Sequence, residues 1–203
     1  MLLTAREKRA RADAVVKRGS PEWPVVPPNA SLLAAPRASA RRIRRYVEYV
    51  AHRTAASWPA AAVDELMTSY AAACEMAGLD LLLVICELLV ETDELKSAST
   101  RLRVDPTALA FAVPACEQDW PRSWKDCARF HVGVLLAYAL PDGAENAGQR
   151  LLLNVPRVRE IVSPEKRGSA PTLDLLLRDW GGGGEPYLAK LLDHTDSILM
   201  PQY

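Results

Sequence analysis

No stretch of this sequence is long and apolar enough to span a bilayer. The longest apolar run, 81–90, is interrupted by Glu87 and is about half the roughly 20 residues that a spanning helix needs. A net charge is missing too. Lys+Arg and Asp+Glu both number 25, so bulk electrostatics gives no reason to expect a nucleic-acid partner. The opening residues, MLLTAREKRARADAVVKR, scatter basic side chains and hold no apolar h-region, which excludes a conventional secretion signal. The expected location is the cytoplasm, or a virion or export machine reached by a dedicated route.

Cysteine is scarce. Cys74, Cys86, Cys116 and Cys127 fit no CxxC or zinc spacing. They read as free, mostly buried thiols, because a free Cys behaves as a small hydrophobe. The glycine run Gly181–Gly184 lacks a following Lys-Ser/Thr and a preceding strand, so it is not a phosphate loop. No cofactor and no metal is implied.

What is present suits one soluble, mainly helical domain. The chain has 203 residues, 49% of them hydrophobic and 25% charged, enough to bury a core without staples. Residues 1–37 read as an appendage, with a short basic helix over 3–18 and then a stretch, 19–37, that holds five prolines and predicts an extended arm. Trp23 in that arm is expected on the domain surface. The domain proper is expected over 38–203.

Within it, Ser39 predicts an N-cap for a helix whose apolar face is Ile43, Tyr46, Val47 and Val50. Arg41, Arg42, Arg44 and Arg45 fall mostly on the other face, and such a run is usually solvated. A second helix is expected over 60–76, closed by Gly78. Asp80 then opens LLLVICELLVE, which is apolar nearly all round and predicts a buried central helix. Residues 97–121 lack helical periodicity and predict an irregular lobe. Helical pattern returns over 123–140, with Trp124, Cys127, Phe130, Val134, Leu135 and Tyr138 inward. After the Pro141-Asp142-Gly143 turn come a helix over 144–154, a loop over 155–170, and two short helices over 171–180 and 185–194.

One place has the makings of chemistry. Glu91 ends a run of almost pure hydrocarbon, and Glu87 sits one turn earlier on the same face. Desolvation penalises a charged carboxylate and favours the protonated form that a general acid needs. The competing reading is a solvated helix-end carboxylate at Glu91, with Glu87 in a local hydrogen bond or ion pair.

Four segments in order bear on that choice. CELLVETD, 86–93, preceded by AGLDLLLVI, resembles the helix-and-acid segment of glycoside hydrolase family 73, the lysozyme-like endo-β-N-acetylglucosaminidases. DPTALA, 105–110, is similar to an altered form of that family's NPAGIG segment. CARFHVGVLLAYA, 127–139, is similar to a family helix through Arg129, His131, Leu135, Ala137, Tyr138 and Ala139. RGSAPTLDLLLRDWGGGGEPYLAKLL, 167–192, resembles the closing segment through Pro171, Trp180 and Tyr187. The resemblance spans about 77–192.

The resemblance implies a lysozyme-like fold with a cleft beside a small irregular lobe. It also implies hydrolysis of the β-1,4 bond after N-acetylglucosamine in peptidoglycan or a related polysaccharide. Glu91 would be the acid. An oxocarbenium-like sugar would be stabilised by a second carboxylate, for which Asp105, Glu117 and Asp119 are candidates, or by the substrate's own acetamido group. Thr92, Asp105, Tyr138 and Tyr187 would line the substrate site. The chain departs from the family pattern at Val90, Asp93, Ala108 and Ala110, where the family has His, Gly, Gly and Gly. A lone His131 on an apolar helix face reads as a satisfied core residue more readily than as a catalyst.

Two functions of different kind follow. One is an active glucosaminidase. The other is a catalytically degenerate relative, a glycan-binding or structural subunit tethered to a larger assembly through the N-terminal arm. A nucleic-acid role resting on RRIRR is the weakest alternative.

Overall fold

The computed structural model describes residues 26–53, 58–96, 123–155, 157–179 and 184–200. The expected basic helix over 3–18, Trp23, Cys116 and the irregular lobe over 97–121 lie outside the described residues.

Helical periodicity in the sequence becomes helix in the structure. The first helix, α1 (Ala40–Arg53), buries Ile43, Val47, Val50 and Ala51. Ser39 starts it, its hydroxyl accepting the Arg42 N–H at 3.3 Å. Helix α2 (Ala60–Ala77) follows Pro59 and ends at Gly78, whose φ of 72° no β-carbon has to share. The Leu79 N–H bonds back to the Cys74 carbonyl at 3.1 Å, closing the helix.

Helix α3 (Leu81–Glu91) is the centre of the molecule. Every residue from Leu81 to Leu89 is buried, Glu87 among them. Asp80 caps it, taking the Leu82 N–H at 3.0 Å, and its other oxygen pairs with Arg37. Helix α4 (Trp124–Ala139) is capped by Ser123, which accepts the Asp126 N–H at 3.2 Å, and buries nearly its whole length.

The remaining elements are shorter. Helix α5 (Ala147–Leu153) starts at a reciprocal Asn146–Gln149 capping box. A single turn, α6 (Val158–Ile161), and a 3-10 turn, Pro164–Lys166, occupy the stretch expected as loop. Helices α7 (Leu173–Asp179) and α8 (Gly184–Leu199) complete the order. The last helix runs further than the expected 185–194 because Leu191, His194, Thr195, Ile198 and Leu199 keep one face buried.

Helices α2 and α4 pack along each other, α8 lies on α3, and α5 crosses α4. The α4–α5 crossing is close at Gly133, where a β-carbon would sit 2.8 Å from the Leu152 carbonyl oxygen. Among the described residues β pairing is limited to two isolated bridges, Ser31 with Thr172 and Leu33 with Leu79.

Those bridges tie the described part of the arm to the helices. The described part of the arm, 26–37, is built into the domain. Val26, Ala30 and Leu32 are buried. The Leu32 N–H bonds the Pro171 carbonyl at 3.0 Å, and the Leu32 carbonyl takes the Asp80 N–H at 2.9 Å. The prolines exclude helix here, as expected, but the backbone they leave extended finds partners at the starts of α3 and α7.

The arginines of α1 are partly engaged by the fold. Arg42 donates to the Leu199 and Met200 carbonyls at 2.7 and 2.6 Å, satisfying the end of α8. Arg44 pairs with Glu48 at 2.8 Å and with Asp64. Cys74, Cys86 and Cys127 are buried free thiols, and burial pushes the Cys74 and Cys86 thiols well above their ordinary range. Among the described residues no helix is long and apolar enough to cross a membrane.

Candidate active site

The C-terminal half of α3 carries two carboxyl side chains, Glu87 and Glu91. Residues 87 and 91 are one helical turn apart, so their side chains leave α3 on the same face. That face meets two helices. Helix α8 brings Tyr187, and α4 brings His131.

These four side chains and Tyr70 form one line of polar contacts, in which Glu87 and His131 meet as an ion-pair contact. The Tyr187 hydroxyl lies 2.6 Å from Glu91 Oε1 and 3.2 Å from Glu87 Oε1. The other Glu87 oxygen, Oε2, is 2.5 Å from His131 Nε2. His131 Nδ1 is 3.1 Å from the hydroxyl of Tyr70, which α2 supplies. The line runs from a buried tyrosine at the centre of the core to a half-buried carboxyl at the end of α3. Exposure grades along it: Tyr70 and His131 are at 0%, Glu87 at 2%, and Glu91 is intermediate.

Burial has a simple consequence for the tyrosine. Loss of water around the Tyr187 phenol, then the nearby Glu87 and Glu91 carboxylates, push its ionisation far above the ordinary phenol range. Held protonated in this way, the phenol is an O–H donor to the carboxyls beside it.

The chain reverses immediately after Glu91. Asp93, Glu94 and Leu95 take positive φ values of 46°, 58° and 65° in succession. Left-handed backbone costs a residue with a β-carbon about 1 kcal/mol or more. Three such residues in a row are held by the Glu94 N–H bond to the Leu89 carbonyl at 2.7 Å and by Leu95, which is fully buried.

Beside this turn lies a cleft of about 260 Å³, lined by residues including Val90, Asp93, Glu94, Lys190 and His194. The His194 imidazole is hydrogen-bonded to the Tyr46 hydroxyl at 2.9 Å. Its pKa falls below the ordinary histidine value, chiefly because burial disfavours the charged ring.

The residues singled out from the sequence separate into three groups. Glu91 and Tyr187 meet, 96 positions apart in the chain. Thr92 and Tyr138 do not join them. Thr92 is buried and structural: its hydroxyl donates to the Leu88 carbonyl at 2.7 Å and accepts the Leu95 N–H at 3.1 Å. Tyr138 is 1% exposed, part of the core face of α4. Burial thus removes both from the surface on which a polysaccharide would lie. Asp105, Glu117 and Asp119 lie outside the described residues.

Sequence reasoning did not join Glu87 to His131 or bring in Tyr70. Each of these polar groups sits on an otherwise apolar helix face, and that was the available signal. The partnership between them is set by how α2, α3 and α4 pack.

Among the described residues no group of three or more His, Cys, Asp or Glu side chains is arranged to hold a metal ion. No family model, no curated protein and no solved structure matches the chain.

Proposed function

We propose that the chain is a glycan hydrolase of the endo-β-N-acetylglucosaminidase type, with a lysozyme-like fold and Glu91 as general acid. The observation that carries the reading is the convergence of segments. The resemblance to family 73 enzymes rests in part on CELLVETD, on the helix with His131 and on the closing segment with Tyr187. Side chains from these three segments form one line of polar contacts that ends at Glu91.

The chemistry follows from the placement of Glu91. Its carboxyl is half-buried at the end of the central helix, with one oxygen against Tyr187. A proton passes from Glu91 to the glycosidic oxygen as the bond to C1 breaks. Water then adds at C1 and returns a proton to Glu91, so the enzyme is restored. Glu87 does not serve as the second carboxylate of such a reaction, because it is 2% exposed and turned to His131. The charge on the sugar falls to Asp105, Glu117 or Asp119, or to the acetamido oxygen of the substrate. The left-handed turn at 93–95 adds support, since strained backbone clusters at functional sites.

A second reading is a degenerate relative that binds a glycan, or sits in a larger phage-like or export assembly, without turnover. The tight contact between Tyr187 and Glu91 favours it, since it occupies the carboxyl oxygen nearest the core. Digestion of purified peptidoglycan separates the two: cleavage lost in Glu91→Gln supports the hydrolase, and retained muropeptide binding without cleavage in the wild type supports the relative.

A further inference from the structure

The Tyr187 hydroxyl has one proton and two carboxyl neighbours. Its oxygen is 2.6 Å from Glu91 Oε1 and 3.2 Å from Glu87 Oε1, and the shorter contact marks Glu91 as its acceptor in this arrangement. Glu87 is held for a different reason. Its far oxygen is fixed by His131 Nε2 at 2.5 Å, and the ring of His131 is fixed in turn by the Tyr70 hydroxyl at 3.1 Å. The near oxygen of Glu87 is thereby left facing the Tyr187 hydroxyl.

We infer that Tyr187 is a two-position hydrogen-bond switch for Glu91, and that Glu87, positioned by His131, is the switch's second acceptor. With Glu91 deprotonated, Tyr187 donates to it. When Glu91 takes a proton on Oε1, that new O–H donates to the Tyr187 oxygen, and the tyrosine proton turns to Glu87. The change is a rotation about one C–O bond. No heavy atom moves, no proton leaves Tyr187, and in both states of Glu91 the Tyr187 proton has a carboxyl acceptor. Without Glu87 the second state would strand the tyrosine proton in a half-buried site, where an unmade hydrogen bond is costly.

The inference rests on Glu91 being the proton-carrying group of the proposed site. Glu87 and His131 are positioning residues, acting on Glu91 only through Tyr187 and through the proximity of Glu87. Among the described residues, the other charged groups near this end of α3 include Asp93, Glu94 and Lys96 in the following turn and Lys190 and Asp193 on α8. All of these but Lys96, together with Tyr46 of α1 and His194, line the adjacent cleft.

Carbon-13 NMR of the carboxyl groups in the full chain tests the switch through substitutions of opposite sign. Glu87→Leu removes a like charge and the second acceptor, so Glu91 titrates at lower pH than in wild type. Tyr187→Phe removes the donor to the charged form, so Glu91 titrates at higher pH. Each shift is expected to be about half a pH unit or more. Movement in one common direction, or none, overturns the switch.

Should either variant fail to fold, the wild type alone decides. The Tyr187 ring Cζ and the Glu87 carboxyl carbon change with the same midpoint as Glu91 if the hydroxyl turns, and stay flat through that midpoint if it does not. Turnover is a separate readout. Intact opposite shifts without any cleavage of peptidoglycan would fell the hydrolase reading and leave the switch standing. Cleavage with flat titrations would do the reverse.

Discussion

Glu87 of α3 and His131 of α4 meet at 2.5 Å inside the core, 2% and 0% exposed. The two helices are joined there by a buried polar contact, and Tyr187 carries that contact on to Glu91. A buried polar pair is a weak source of net stability but is costly to break from one side. His131→Leu is expected to destabilise the fold by about 3–5 kcal/mol, because Glu87 loses its partner and keeps its burial. The double substitution Glu87→Leu with His131→Leu is expected to recover much of that loss. Urea unfolding of the wild type, single and double variants checks this. A double variant as unstable as the sum of its parts would contradict the pairing.

The pair also marks the limit of what the sequence discloses. Helix α3 was legible from composition, since a run such as Leu81–Leu89 has no solvated face to offer. Its start was legible from Asp80, whose carboxylate caps the first turn, and the end of α2 from Gly78. Glu91 and Glu87 were legible as neighbours because residues four apart share a face. That Glu87 turns inward to His131, and not outward to a local partner, depends on the α3–α4 packing, which no spacing encodes. The docking of residues 26–37 is hidden from the sequence for a related reason. Prolines report that a segment is not helix, yet say nothing of where its extended backbone docks. The tail of α8 was readable, since 191, 194, 195, 198 and 199 are spaced as one helical face.

Asp80 ties the arm to the central helix. It is fully buried, caps α3 through the Leu82 N–H at 3.0 Å, and pairs with Arg37. Asp80→Ala is expected to cost about 2 kcal/mol from the lost cap and the severed hydrogen bonds. It should also make the backbone around 26–38 more open to limited proteolysis than in wild type. Unchanged cleavage there would show that the bridges to Thr172 and Leu79 hold the segment unaided.

Gly133 sets the distance between α4 and α5. A β-carbon there would lie 2.8 Å from the backbone oxygen of Leu152 and 3.1 Å from a methyl carbon of Val158. A carbonyl cannot rotate away as a side chain can, so Gly133→Ala is expected to destabilise by about 1–3 kcal/mol. Thermal melting measures it, and a wild-type melting temperature would contradict the close crossing.

His194 makes the fold sensitive to acid. Burial lowers its folded pKa below the ordinary value of 6.5, so the unfolded chain binds this proton more tightly than the folded one. Its contribution is present above the unfolded value and is lost as pH falls through that value toward the lower folded one. Stability is expected to decline on acidification from neutrality, and His194→Gln, which keeps a polar group near the Tyr46 hydroxyl, should flatten part of that decline. Denaturant midpoints recorded across this range check it. An equal slope in both proteins would place the sensitivity elsewhere.

The most direct measurement of the hydrolase reading is mass spectrometry of muropeptides after peptidoglycan is incubated with wild-type protein and with Glu91→Gln. The expected result is new fragments ending in reducing N-acetylglucosamine with the wild type, and a loss of about a hundredfold or more in their rate of release with Glu91→Gln at unchanged melting temperature. Fragments released equally by both proteins, or by neither, would contradict the assignment of Glu91 as the acid.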